Sequence, residues 1–251
     1  MLTDAQLDRY ARHLILPEVG GAGQQTLLAS RVLVVGAGGL GAPVLLYLAA
    51  AGVGTLGVID DDGVDVSNLQ RQVIHSTDRV GRPKAESASA AIRALDPAIR
   101  VETHNERLTA ANSARLFRDY DLILDGSDNF ATRYLVNEAA VAAGRTLVSG
   151  AVLRFDGQVS TFKPHAGPEH PCYRCLFPES PPPGAVPACS EAGILGAVAG
   201  VVGTFMATEA LKELIGMGES LSGRLLLYDA LAASTRIIRF KRRAACPACN
   251  G

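Results

Sequence analysis

The chain has 251 residues, 48% of them hydrophobic and 20% charged, an ordinary globular balance that suffices for one large α/β domain or two small ones. With 24 Lys and Arg against 25 Asp and Glu, the formal charge is −1, so no global field draws nucleic acid or an anionic membrane. Residues 1–13 lack the apolar run of a secretory signal, and the uncharged stretch from Ala192 to Thr208 is short for a span. It reads as a buried helix, and the expected location is the cytoplasm, with no membrane contact.

Residues 3–13 predict an N-terminal helix. Thr3 and Gln6 match a capping box, Leu2 and Leu7 its staple, and Arg9 and Arg12 share a face. From Arg31, apolar strands at 31–35, 55–60, 99–103, 120–125 and 146–151 alternate with helices at about 40–52, 83–95, 109–118 and 130–143. Pro83 suits a first helical turn, and Asp96-Pro97 ends that helix. Such alternation predicts an α/β fold with a Rossmann-like doubly wound sheet, mainly parallel.

After residue 151 the pattern shifts. Residues 153–162 read as a hairpin turning at Asp156-Gly157. Residues 164–190 hold eight of the thirteen prolines and predict a long irregular crossover loop, a kind that is usually functional. A helix at about 191–216, antiparallel strands near 224–229 and 235–241, and a short cysteine-bearing tail complete the chain. The late strands are too few for a separate unit. The expected organisation is one domain over 1–251, with a helical arm at 1–30, a nucleotide-binding half at 31–151 and a second half at 152–251.

Gly36, Gly38 and Gly41 stand in G-x-G-x-x-G spacing between a strand and a helix. Asp60 ends the next strand, placed to accept from a ribose. These features alone indicate an adenine nucleotide, and NAD is the first thought. Hydride transfer, however, needs no cations beside the nucleotide, and here Ser67, Asn68, Leu69, Gln70 and Arg71 are followed by Lys84. Cleavage of a nucleoside triphosphate does need them, because charge on the departing pyrophosphate must be neutralised. Asp128 and Asn129 lie just past a strand end, and a carboxylate facing phosphates there suggests Mg²⁺.

Five cysteines in a cytosolic chain ask for a metal or catalytic explanation. Cys172 with Cys175 and Cys246 with Cys249 form two C-x-x-C pairs, the donor set of a closed tetrahedral structural zinc tying the tail to the long loop. Cys189 is left over, near the expected start of a helix, where a thiolate is favoured.

Taken together, GAGGLG, the aspartate of VIDDD, SNLQRQ, GRPKAES, DGSDN, RFDGQVSTF, CYRC and SEAG resemble the MoeB/ThiF/HesA family, prokaryotic relatives of ubiquitin-activating enzymes. The likeness runs from RYARH to CPAC. It implies that ATP reacts with the C-terminal Gly-Gly carboxylate of a ubiquitin-like sulfur carrier to give an acyl-adenylate and pyrophosphate. Such a step serves sulfur transfer for molybdopterin or thiamin biosynthesis. It further implies that Gly39 lies against the nucleotide, Asp60 holds the ribose, Asn68, Arg71 and Lys84 contact the phosphates, and Asp128 holds Mg²⁺ or positions the reacting phosphate. Arg12 matches an arginine that family homodimers insert into the neighbouring subunit's ATP site, and Cys189 a cysteine that in some members joins the carrier covalently. The second half then binds the carrier, with Arg154 a candidate on the tail's path. Gly196 and Gly200 would let their helix pack closely in the core or a dimer interface. With nothing after Gly251, the sulfur donor is expected to be a separate sulfurtransferase. Competing readings are an NAD-dependent oxidoreductase, a tRNA threonylcarbamoyladenosine dehydratase-like ATP enzyme, and a zinc-stabilised scaffold that binds nucleotide without turnover.

Overall fold

The computed structural model describes residues 1–182 and 192–250. Three runs, RVLVV, TLGVI and LILD, form β1 (Arg31–Val35), β2 (Thr55–Ile59) and β4 (Leu122–Asp125), and all are buried almost throughout. Continuous apolar strands of this kind belong inside a parallel sheet covered on both faces. Period-two alternation divides their side chains. Val32 and Val34 enter one core, while Leu33 and Val35 enter the other.

The sheet has eight strands in the order β3-β2-β1-β4-β5-β6-β7-β8. Here β3 is Arg100–His104, β5 Thr146–Leu153, β6 Asp156–Phe162, β7 Arg224–Asp229 and β8 Ser234–Arg239. The pairs from β3 to β5 are parallel and those from β5 to β8 antiparallel, the expected mixed Rossmann-like sheet. Crossover helices α4 (Gly41–Ala50) and α5 (Lys84–Leu95) cover one face, and α6 (Ala110–Arg118) and α7 (Phe130–Ala143) the other. The chain leaves β1 and β4 toward opposite faces, so a crevice opens where the two neighbouring strands end.

Several expectations are corrected. The N-terminal helix carries its Thr3–Gln6 capping box but breaks at Tyr10 into α1 (Asp4–Arg9) and α2 (Ala11–Leu14). The tyrosine ring is buried, and its hydroxyl lies 3.1 Å from Asp96 Oδ2. Arg9 turns back to Asp96 while Arg12 stays exposed, so the two do not act as one face. A third helix, α3 (Gly20–Ala29), completes the arm.

The hairpin turns at Arg154-Phe155, with Leu153 opposite Asp156 and Arg154 at φ 55°. Gly157 sits inside the strand instead, because a Cβ there would lie 2.2 Å from Val202 Cγ2. The described part of the long loop is not wholly irregular. It holds a turn at Pro164–Ala166 and a one-turn helix, α8 (Tyr173–Leu176).

The late helix, α9 (Gly196–Ile215), begins after Gly193, whose φ of 79° ends any earlier helical run. Gly196 does allow a close approach, to the Gln70 carbonyl, whereas Gly200 faces open space. No described helix is long and apolar enough to cross a membrane.

Candidate active site

The loop after β1 is shaped by Asp60 at the end of β2. The Ala37 N–H donates to Asp60 Oδ2 at 2.8 Å, and the Asp62 N–H donates to Oδ1 at 2.9 Å. Burial pushes the Asp60 carboxyl above its ordinary range, opposed by these two donors and by the Lys84 charge. The N–H groups of Gly38, Gly39 and Leu40 have no partner among the described residues, and all three residues line a cavity of about 940 Å³. Unpartnered amides ahead of a helix form an anion-binding nest. Gly41 lies beneath the nest, not in it. A Cβ there would sit 1.9 Å from the Gly36 carbonyl oxygen, so glycine is needed for α4 to start against the loop.

Two cations and an acid meet this nest. Lys84 heads α5 with its side chain only 7% exposed, and its Nζ is 2.7 Å from Asp62 Oδ2. Arg71 donates through Nη1 to the Ser67 carbonyl at 3.0 Å, while its stem runs beside Gly39. Asp128 and Asn129 enter from the end of β4, and Asn129 also caps α7 by accepting from the Thr132 N–H. Gly36, Gly38, Gly39, Asp60, Arg71, Lys84, Asp128 and Asn129 therefore share one cavity.

Other expected site residues lie elsewhere. Ser67, Asn68, Leu69 and Gln70 form the turn that carries Arg71 and do not line the cavity. Ser67 is held by Asp65, through its N–H at 2.8 Å and its hydroxyl at 2.6 Å. Arg12 is exposed and does not line this chain's own cavity, and Arg154 spends its backbone on a short bridge to Ile194. Cys189 lies outside the described residues.

The structure also adds groups that the sequence did not single out. Buried Gln72 lines the cavity with its Oε1 unpartnered. Buried Arg133 donates from Nη2 to the Ser127 carbonyl, bracing the loop that bears Asp128. Gln72 is the last residue of SNLQRQ and Arg133 lies four residues past DGSDN, but nothing in one dimension shows that they turn inward. The cavity continues past the nest along Val152, Gln158, Tyr228 and Arg236 on the antiparallel strands.

The four other cysteines converge. Sγ separations are 3.9 Å for Cys172–Cys175, 3.5 Å for Cys172–Cys246 and 3.6 Å for Cys175–Cys249, and all four sulfurs lie within 4.8 Å of one another. Tetrahedral zinc with bonds of about 2.3 Å requires sulfurs about 3.8 Å apart, so the donor set fits. The Arg243 N–H points at Cys175 Sγ from 3.4 Å, an outer contact that thiolate ligands favour. Burial pushes the Cys249 thiol up to about 11. Cys246, although burial opposes its ionisation, is held down to about 7 by the Ala248 and Cys249 N–H groups.

The sequence profile of the ThiF family matches residues 10–248. The chain is 56% identical over 250 residues to the sulfur carrier protein adenylyltransferase of Thermus thermophilus, covering 99% of this chain and 92% of that protein. It is 52% identical over 249 residues to the SAMP-activating enzyme E1 of Haloferax volcanii, covering 99% and 91%. It is 56% identical over 247 residues to the probable adenylyltransferase/sulfurtransferase MoeZ of Mycobacterium tuberculosis, but spans only 63% of that longer protein. Among solved structures, Escherichia coli MccB with ATP superposes with a TM-score of 0.81 over 97% of this chain and 75% of that chain. At 20% identity that likeness is one of fold.

Proposed function

The chain belongs to the ThiF family, and from that premise we propose that it uses ATP to adenylylate the C-terminal glycine of a ubiquitin-like sulfur-carrier protein, releasing pyrophosphate. The observation that carries this reading is that Arg71, Lys84 and Asp128 line the same cavity as the open amides of Gly38, Gly39 and Leu40. Cations at that spot serve a leaving pyrophosphate, and a nicotinamide has no use for them. The relatives named above carry the names adenylyltransferase, probable adenylyltransferase/sulfurtransferase and activating enzyme, which leaves the oxidoreductase, tRNA-directed and scaffold readings without support.

In this reading Asp60 accepts from the ribose while its second role, holding Ala37, keeps the nest in shape. The amides and the start of α4 take the phosphates. Lys84 is released to them by Asp62, whose side chain is 68% exposed and free to swing into water. The carrier's tail enters along the antiparallel end of the cavity, past Gln158 and Arg236. Its terminal carboxylate oxygen bonds to the α-phosphorus as the bond to the β-phosphate bridge breaks. No general base is required, because the carboxylate is already ionised.

Asp128 would hold Mg²⁺, whose charge would further screen the pyrophosphate. The four thiolates would hold zinc as a cross-link without chemistry. Val66, Val73 and Leu195 are exposed apolar groups near the SNLQR turn, which supports a second copy covering this face and bringing its Arg12 toward the cavity. The setting in this reading is the cytoplasm.

The test is pyrophosphate–ATP exchange with candidate carriers. Exchange is expected with a carrier ending in Gly-Gly and not with one lacking the last glycine. Absence of exchange with every such carrier, together with tight NADH binding, would overturn the reading.

Asp60 supplies a pH signature. Its carboxyl sits above the ordinary range, so its contribution to folding stability is present at low pH and is lost as pH rises through the raised value. ATP binding needs the ionised form and should run the opposite way, weakening on acidification. Asp60→Asn should bind ATP at least about tenfold more weakly at neutral pH, since it loses a charge-assisted acceptor. Its affinity should also show little pH dependence in this range, as read by calorimetry.

A further inference from the structure

Beneath the nest lies a histidine that the mechanism above does not use. His75 is 7% exposed, and its two ring nitrogens join two elements of the site. Nε2 is 2.9 Å from the Ala37 carbonyl oxygen, and Nδ1 is 2.8 Å from Ser87 Oγ, one turn into the helix that Lys84 begins. A carbonyl only accepts, so Nε2 carries the hydrogen and donates it. In the neutral ring Nδ1 then accepts from the Ser87 hydroxyl. Burial, reinforced by the charges of Lys84 and Arg79, pushes the ring below the ordinary histidine range and keeps it neutral.

The Ala37 carbonyl shares its peptide plane with the Gly38 N–H, and in a trans plane the two point in opposite directions. Two successive planes of the loop are therefore pinned. Asp60 holds Gly36–Ala37 by its N–H, and His75 holds Ala37–Gly38 by its carbonyl. The second bond turns the carbonyl away from the cavity that Gly38 lines and leaves the Gly38 N–H without a partner among the described residues. Rotation of that plane would require mainly a new ψ at Ala37 and a new φ at Gly38, and glycine accepts either sign of φ. The rotated form would direct a carbonyl oxygen at a phosphate.

We propose that His75 is a positioning residue whose Nε2–H holds the Ala37–Gly38 peptide so that the Gly38 N–H faces the polyphosphate of the nucleotide. The proposal rests on the reading of this cavity as an ATP site. A bond from Gly38 to a phosphate is made in ground and transition states alike, so its loss belongs in KM and not in kcat.

The experiment is carrier-dependent pyrophosphate exchange on His75→Leu, His75→Gln and His75→Glu, with inhibition by adenosine measured in parallel. Adenosine reports the ribose and base contacts without the phosphates. His75→Leu should raise the KM for ATP about ten- to thirtyfold, the loss of one charge-assisted hydrogen bond. Its kcat and the adenosine inhibition constant should stay within about threefold. His75→Gln, whose amide N–H can reach the same carbonyl, should restore KM to within about threefold, whereas His75→Glu offers an acceptor and should resemble Leu. Should Leu fail to fold, the Gln and Glu pair decides alone. An equal rise for ATP and adenosine, an unchanged KM in Leu, or Gln no better than Glu would each overturn the proposal. Absence of exchange in the unaltered protein would instead strike the ATP reading itself.

Discussion

Lys84→Ala should lower kcat for carrier-dependent pyrophosphate exchange by about 10²- to 10³-fold, the range found when one fixed group is removed from developing negative charge in a closed site. The lysine meets both conditions for a large effect. Its side chain is nearly buried, so water does not screen it, and from the head of α5 it lines the same cavity as the open amides. Its partner Asp62 is exposed, so truncation strands no charge in the interior, and the cost to folding should be small. Asp60 loses a favourable charge, and its carboxyl should shift further upward. Because charge on pyrophosphate grows as the bond breaks, the loss should fall mainly on kcat, with a smaller rise in KM for ATP. This is the opposite split from that expected of His75. A Lys84→Ala protein that unfolds at the normal temperature yet keeps a third of its kcat would remove the lysine from the phosphate site.

Much of this site could be read in one dimension because its parts are local. A glycine loop, the acid at the next strand end and the residues after β4 each follow a strand, and a doubly wound sheet brings such ends together whatever the rest of the chain does. What could not be read depends on contacts across the fold. Asp156-Gly157 has turn chemistry, but Gly157 is there to admit Val202, and the chain turns one dipeptide earlier. Asn68 and Arg71 of SNLQR are both expected on the phosphates, yet the turn is held at the surface by Asp65 and by its own backbone, leaving Arg71 as the member that lines the cavity. Tyr10 interrupts a helix that its flanking residues would continue, because its ring is taken up by the core and Asp96. His75 acts on a carbonyl 38 residues away, and Arg133 turns back to the loop just before its own helix; no spacing reports either contact.

Removal of the metal should have the second large effect, and on stability more than on chemistry. Cys246→Ser leaves three thiolates, and the bound zinc measured by elemental analysis should fall well below one per chain. Structural zinc in small domains binds with about 10–16 kcal/mol of free energy, all of it folding energy where nothing else orders the site. Here the tail has other anchors. Arg242 donates to the Pro164 and Gly167 carbonyls, and Phe240 lies 6.2 Å from Phe162 between ring centroids. The loss should therefore be a fraction of the full value, about 3 kcal/mol, which for a chain of this size lowers Tm by roughly 6–12 °C. The damage should then reach the cavity through α8. Cys172 precedes Tyr173, whose N–H is held by Asn137 at 2.8 Å, whose ring packs on Tyr134 and Phe162, and which lines the cavity. Exchange activity should accordingly decline with metal content and recover when zinc is returned to the chelator-treated protein, but not in Cys246→Ser. If the metal-free protein kept both its Tm and its activity, the four sulfurs would be a packed cluster of thiols and no cross-link.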